Sequence, residues 1–287
     1  MTELLQDLQL AAQRSVRLLL DGSSVKHGPP PAWLETATDF LFTGISKGST
    51  VLDVNAPELG EAAAEFLQQP DMWRELPKAD DTALSVLALS MQDAAASNLN
   101  SDRFDRGVLE SFVHMDRFFN YAESVEIVRR DRTENTTFVV SAATLKTVRT
   151  LRNRTPAPQA MVISGKLEEI GHTAGQFKLD IADGNSLRGR VHPEFLNAEA
   201  LRDLWGKKVS AKGAVHFKPS GAARFIEAEI LKTMDKGEEV FERFPVVVQM
   251  EAPFVGIAQA TEKRINVHDL WGQWPGDESI EELLASL

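Results

Sequence analysis

The chain has 287 residues, no cysteine and a formal net charge of −11. Lacking cysteine, it excludes disulfides, thiolate metal sites and cysteine nucleophiles, and its acidity repels nucleic acid and anionic lipid on average. At this length about two domains are expected, each able to bury a core without covalent staples.

Charge is unevenly spread. Residues 1–144 carry about −10, residues 145–240 about +4 and residues 241–287 about −5. Glu3, Asp7, Arg14 and Arg17 interrupt the first twenty residues, so these do not read as a signal peptide. No run approaches the roughly 18 apolar residues of a membrane helix. The expectation is a cytoplasmic protein with no membrane partner.

In chain order, Leu4, Leu5, Leu8, Ala11, Ala12 and Val16 recur at helical spacing and predict a helix over residues 3–20. Gly22-Ser23-Ser24 ends it, and three consecutive prolines at 29–31 hold the next segment as a loop. A first strand is expected around Phe40, Phe42 and Ile45, then a turn at Lys47-Gly48-Ser49 and a second strand over 50–55. Three helices follow: Pro57 or Glu58 to Leu67, Asp80 or Asp81 to Ala96, and Asp102 or Arg103 to Phe119. Strands at 124–130 and 136–141 flank a polar turn at 131–135, and a helix over 142–151 closes the region. Antiparallel strands with helices on one face predict an α+β sandwich for residues 1–151. Residues 152–160 contain two prolines among polar neighbours and read as a linker.

Residues 161–260 carry a different pattern. Strands are expected at 161–170, 176–182, 186–191, 208–217 and 224–231, with one more at 245–250. Asp183-Gly184-Asn185 supplies hairpin-turn chemistry, and Asn197 can cap a short helix that ends before Gly206. Five strands with one helix between the third and fourth resemble an OB-fold barrel. Such barrels hold single-stranded nucleic acids, sugars or proteins, so the resemblance leaves the ligand open.

The barrel region is also basic. Lys146, Arg149, Arg152 and Arg154 lead into it, and Lys166, Lys178, Arg188, Arg190, Lys207, Lys208, Lys212, Lys218 and Arg224 follow. One reading makes Lys166, Lys178, Arg188, Arg190, Lys212, Lys218 and Arg224 a track for a single strand, with Phe177, Phe217 and Phe225 as stacking platforms. The other makes the phenylalanines barrel filling and the cations a solvated face. None of the six histidines lies three or four residues from another, so no helical metal pair is present. Phosphate-loop, nucleophile-elbow and dinucleotide glycine motifs are missing. The expectation is a protein without a catalytic centre, metal or cofactor.

Residues 261–287 form an acidic tail. Ser279 and Glu282 have capping-box spacing. Asp277, Glu278, Glu281 and Glu282 crowd the helix start, where the dipole favours negative charge. Ile280, Leu283, Leu284 and Leu287 fall on one face. A helix this short is unstable alone in water, so its apolar stripe needs a surface, its own protein's or a partner's. The run Trp274-Pro275-Gly276-Asp277-Glu278-Ser279, preceded by Trp271, resembles the C-terminal segments of antitoxins paired with PIN-domain ribonuclease toxins. That resemblance implies a non-catalytic inhibitor. Its partner-binding residues would be Trp271, Trp274, Pro275, Asp277, Glu278, Ile280, Leu283, Leu284 and Leu287, and its partner a PIN-type ribonuclease. Residues 1–150 show no DNA-binding element of the kind those antitoxins carry.

Overall fold

The computed structural model describes residues 2–26, 28–46, 51–67, 76–120, 122–130, 135–171, 175–182, 184–192, 194–196 and 198–247. The expected turn at 47–49, residues 131–134 of the expected turn at 131–135, the cap residue Asn197, the hairpin residue Asp183 and the whole tail from 261 lie outside them, while Asn135 opens a strand.

Helix α1 (Thr2–Asp21) presents Leu4, Ala11, Ala12, Val16 and Leu19 to the core at helical spacing. After it come α2 (Ala32–Ala37), the hairpin β1 (Leu41–Ser46) and β2 (Val51–Asn55), and two single turns, α3 (Leu59–Ala62) and α4 (Ala64–Leu67). The longer α5 (Ala83–Ala95) starts at Thr82. The Thr82 hydroxyl accepts from Ser85 N at 3.2 Å, while Ser85 Oγ accepts from Thr82 N at 2.9 Å. Helix α6 (Arg106–His114) continues as a 3-10 turn over Met115–Asn120, and the hairpin β3 (Ser124–Arg130) and β4 (Asn135–Ser141) leads into α7 (Ala142–Arg154).

Helices α1, α5, α6 and α7 pack together. Leu20, Leu87, Met91, Phe104, Phe112, Met115 and Leu145 fill the space between them. The four N-terminal strands form two separate antiparallel hairpins rather than one shared sheet. The core explains this, because it is supplied almost wholly by helices, and β4 contributes Val140.

The second body is a closed barrel of β5 (Gln159–Ile170), β6 (Gln176–Asp180), β7 (Ser186–Val191), β8 (Lys208–Phe217) and β9 (Ala223–Thr233), in the order β5-β6-β7-β9-β8. All neighbours are antiparallel except β7 and β9. A parallel pair needs a crossover. Here α8 (Ala198–Asp203) and β8 provide it. Alternate residues point inward, and Ile163, Leu179, Leu187, Val191, Val215 and Ile226 make the barrel core, with Leu201 of α8 buried in it. The sixth strand expected at 245–250 is represented by one bridge from Val246 to Ala222, and residues 248–250 lie outside the described set. Helical layer and barrel belong to one compact unit, Met1–Val248.

Candidate functional site

The charges that the sequence separates are brought together where the end of α1 meets the outer face of β7, β8 and β9. Helix α1 delivers Arg17 and Asp21 one turn apart, 3.7 Å between Nε and Oδ2. The Asp21 carboxylate also contacts Arg190 of β7 and Lys26. Gly22 then turns the chain at a positive φ of 87°, a conformation open mainly to glycine. A side chain there would also collide with the Phe225 ring, whose Cε2 would lie 2.5 Å from the new Cβ. Relieved of a side chain, the Gly22 carbonyl accepts from Arg224 Nη2 at 2.5 Å.

The next acid in the seam is Asp105, the N-cap of α6. Its Oδ1 accepts from Val108 N at 2.9 Å and from Ser24 Oγ at 2.6 Å, and its Oδ2 accepts from Ser24 N at 3.2 Å. Oδ2 also stands 3.8 Å from Arg224 Nη2. At the outer end, Lys218 donates to Asn100 O at 3.1 Å and lies 2.9 Å from Asp102. Ser220 N donates to Leu99 O at 3.1 Å. The strand register sets Ala214, Glu227, Arg190 and Gln176 side by side across four strands. His216 Nε2 stands 3.7 Å from Glu227 Oε2, longer than a direct hydrogen bond.

Burial shapes the electrostatics. It pushes the Arg190 guanidinium down to about 10, with Glu227 acting against it and Arg17 with it. Arg17 and Arg224 are lowered by burial too, Arg224 against the pull of Asp105, Asp102 and Glu227. At about 10 the Arg190 side chain is still charged at neutral pH. Burial alone would raise Glu227, but His216, Ser23 and Arg190 outweigh it and hold the carboxyl below its ordinary value. The Nε atoms of Arg17, Arg190 and Arg224, His216 Nε2 and Glu227 Oε1 are buried with no hydrogen-bond partner. Beside them is a cleft of about 160 Å³ lined in part by Ser23, Arg106, Glu110, Pro156 and His216. That volume suits about five waters and falls below the ~300 Å³ of a small-molecule site.

A pH dependence follows. The folded chain binds the Glu227 proton less readily than the unfolded chain. The stabilisation is therefore complete above the ordinary glutamate value and lost as pH falls through the lower folded value. Urea midpoints of the wild type and Glu227→Gln, compared from neutral pH into acid, are expected to converge. A difference that stays constant would show that Glu227 is not held in this way.

The seven basic residues singled out above do not form one stripe. Arg190, Lys218 and Arg224 hold the junction. Lys178 pairs with Glu169 at 3.1 Å, and the exposed Lys166 lies 2.9 Å from Glu168, which raises Lys166 and lowers Glu168. Arg188 is half-buried on β7, and Lys212 is exposed on β8. Phe177 and Phe217 lie in the barrel core, while Phe225 is buried against Gly22. The tail residues Trp271, Trp274, Pro275, Asp277, Glu278, Ile280, Leu283, Leu284 and Leu287 lie outside the described residues. Sequence reasoning missed Asp21, Asp105, His216 and Glu227. The available signals were the four-residue spacing of Arg17 and Asp21 and the position of Asp105 three residues before Val108.

Among the described residues no group of three His, Asp or Glu side chains could hold a metal ion, and no helix is long and apolar enough to cross a membrane. No protein-family profile matches the chain, and no curated protein matches its sequence.

Proposed function

We propose that this chain is a non-catalytic interaction protein, antitoxin-like in form, whose Trp271–Leu287 segment binds another protein. The observation that carries the reading is the pairing of Arg190, Arg224 and Lys218 with Asp21, Asp105 and Asp102. These three barrel cations serve the chain's own assembly, so the helical layer and barrel act as a scaffold. The tail's sequence then carries the pattern of a working surface: apolar residues at helical spacing, capping-box spacing at Ser279 and Glu282, and acids where the expected helix would start. Its Trp274–Ser279 run supports a PIN-type ribonuclease as the partner. The finer reading of the barrel is OB-like, supported by its strand order, its parallel β7–β9 pair and the position of α8. A reducing, cytoplasmic setting suits a chain without cysteine.

The test is capture from native cells with the full chain and with a truncation after His268. Recovery of a nuclease by the full chain, reduced at least about tenfold by truncation, is expected; for a bound helix that corresponds to about 1.4 kcal/mol or more. Equal recovery by both would remove the tail from the account. A second reading is single-stranded nucleic-acid binding on the barrel surface away from the junction, favoured by the exposure of Lys166 and Lys212. Its signature is affinity for an oligonucleotide that falls steeply with salt. A chain that binds none at low salt would leave the protein partner as the sole reading.

A further inference from the structure

The helical layer and the barrel have separate apolar cores. Phe225, 6% exposed at the junction, belongs to neither. Several ion pairs and hydrogen bonds cross the seam with their donors on the barrel. Arg190, Arg224, Lys218 and Ser220 N donate from the barrel. Asp21, Gly22 O, Asp105, Asp102, Asn100 O and Leu99 O receive on the helical side. The acceptors come from the two segments that follow α1 and α5, together with the last residue of α1 and the N-cap of α6. The covalent link is Thr155–Pro158, four residues with prolines at 156 and 158.

Such a seam responds to ions in a way an apolar one does not. The outer Lys218–Asp102 pair, with Asp102 71% exposed, is open to screening. The inner pairs are shielded while the seam is closed. Opening, however, hydrates the Arg190 and Arg224 guanidinium groups, whose burial in the closed seam disfavours their charge and whose Nε atoms have no hydrogen-bond partner there. Salt then stabilises the separated charges. Interfaces of this polar kind within one chain permit relative motion of the bodies they join.

We infer that the junction is an ion-operated latch: helical layer and barrel part as rigid bodies when ions displace the Asp21–Arg190, Asp105–Arg224 and Asp102–Lys218 contacts, and Phe225 with the adjacent Arg224 is uncovered. This goes beyond the partner-binding reading and does not depend on it, since its readout is an internal distance rather than capture of a partner.

The chain has no native cysteine, so Gln92→Cys on α5 and Glu229→Cys on β9, both exposed, place nitroxide labels on the two bodies without further change. Pulsed electron–electron distances are measured at about 0.1 M and about 1 M salt, where the screening length falls from ~10 Å to ~3 Å. One narrow distribution is expected at the lower salt. At the higher salt a longer, broader population should exceed about 10% of molecules, with circular dichroism unchanged. Adding Asp21→Asn and Asp102→Asn should produce the longer population already at 0.1 M. A single narrow distribution in both salts and in the variant overturns the latch. If that variant loses its secondary structure, the salt series on the chain with only the two label sites decides by itself.

Discussion

Replacing Asp105 with alanine is expected to lower the unfolding free energy by about 3–5 kcal/mol, the range found when one partner of a buried ion pair is removed. Three losses fall together. Helix α6 loses the side chain that accepts from Val108 N, worth about 1 kcal/mol as a cap. The amide and hydroxyl of Ser24, both buried, lose the carboxylate they share. Arg224, with its side chain 6% exposed, keeps the Gly22 carbonyl but loses its nearest counter-charge. Asp105→Asn retains the oxygen for the cap and is expected to recover about half of the loss. A double-mutant cycle with Arg224→Met should show a coupling of about 1–3 kcal/mol. Urea unfolding of the four proteins measures all of this. A cost under about 1 kcal/mol for Asp105→Ala would mean that the residue is a simple cap and that Arg224 is held by Gly22 alone.

Local structure was legible wherever it rests on local rules. The spacing of Leu4, Ala11, Ala12 and Val16 marks α1, and alternation along β6 and β8 marks strands. Helix starts were less sharply defined, because several capping residues lie within a few positions. Asp80 and Asp81 compete with Thr82, and Thr82 caps because Ser85 can return its hydrogen bond. Asp102 competes with Asp105, and the full burial of Phe104 between them leaves Asp105 at the helix start. Two hairpins in place of a single N-terminal sheet were not legible, since strand alternation does not say which ladders meet.

The junction was legible only as a charge imbalance. An acidic first half and a basic barrel announce that the two attract, but not through which residues. Arg190 and Asp21 are 169 positions apart, and Arg224 and Gly22 are 202 apart. No periodicity or motif reaches across such separations. The same holds for the parallel β7–β9 pair, which closes the barrel and sets Arg190 next to Glu227. Three of the seven cations that read as a ligand track in the sequence, Arg190, Lys218 and Arg224, are therefore ones the fold uses to join its own two bodies.

Separate cores lead to a second large effect, confined to one body. In Gly213→Ala the new Cβ would lie 1.9 Å from Glu227 O and 2.7 Å from Ala228 Cα. Both obstacles are backbone of β9, so no side-chain rotation relieves them, and the bulge between Lys212 and Gly213 already marks where the β8–β9 ladder is tight. Overpacking costs about 1–3 kcal/mol, and a backbone collision of this kind belongs at the upper end. Because the helical core receives none of its side chains from the barrel, the loss should appear in one body. Hydrogen exchange is expected to quicken about a hundredfold in β5, β8 and β9, the factor that corresponds to roughly 2.7 kcal/mol. Amides of α1 and α5 should keep their protection. Equal loss in both bodies would mean that the seam couples them into one cooperative unit, and that the ion pairs along it hold more tightly than a latch can.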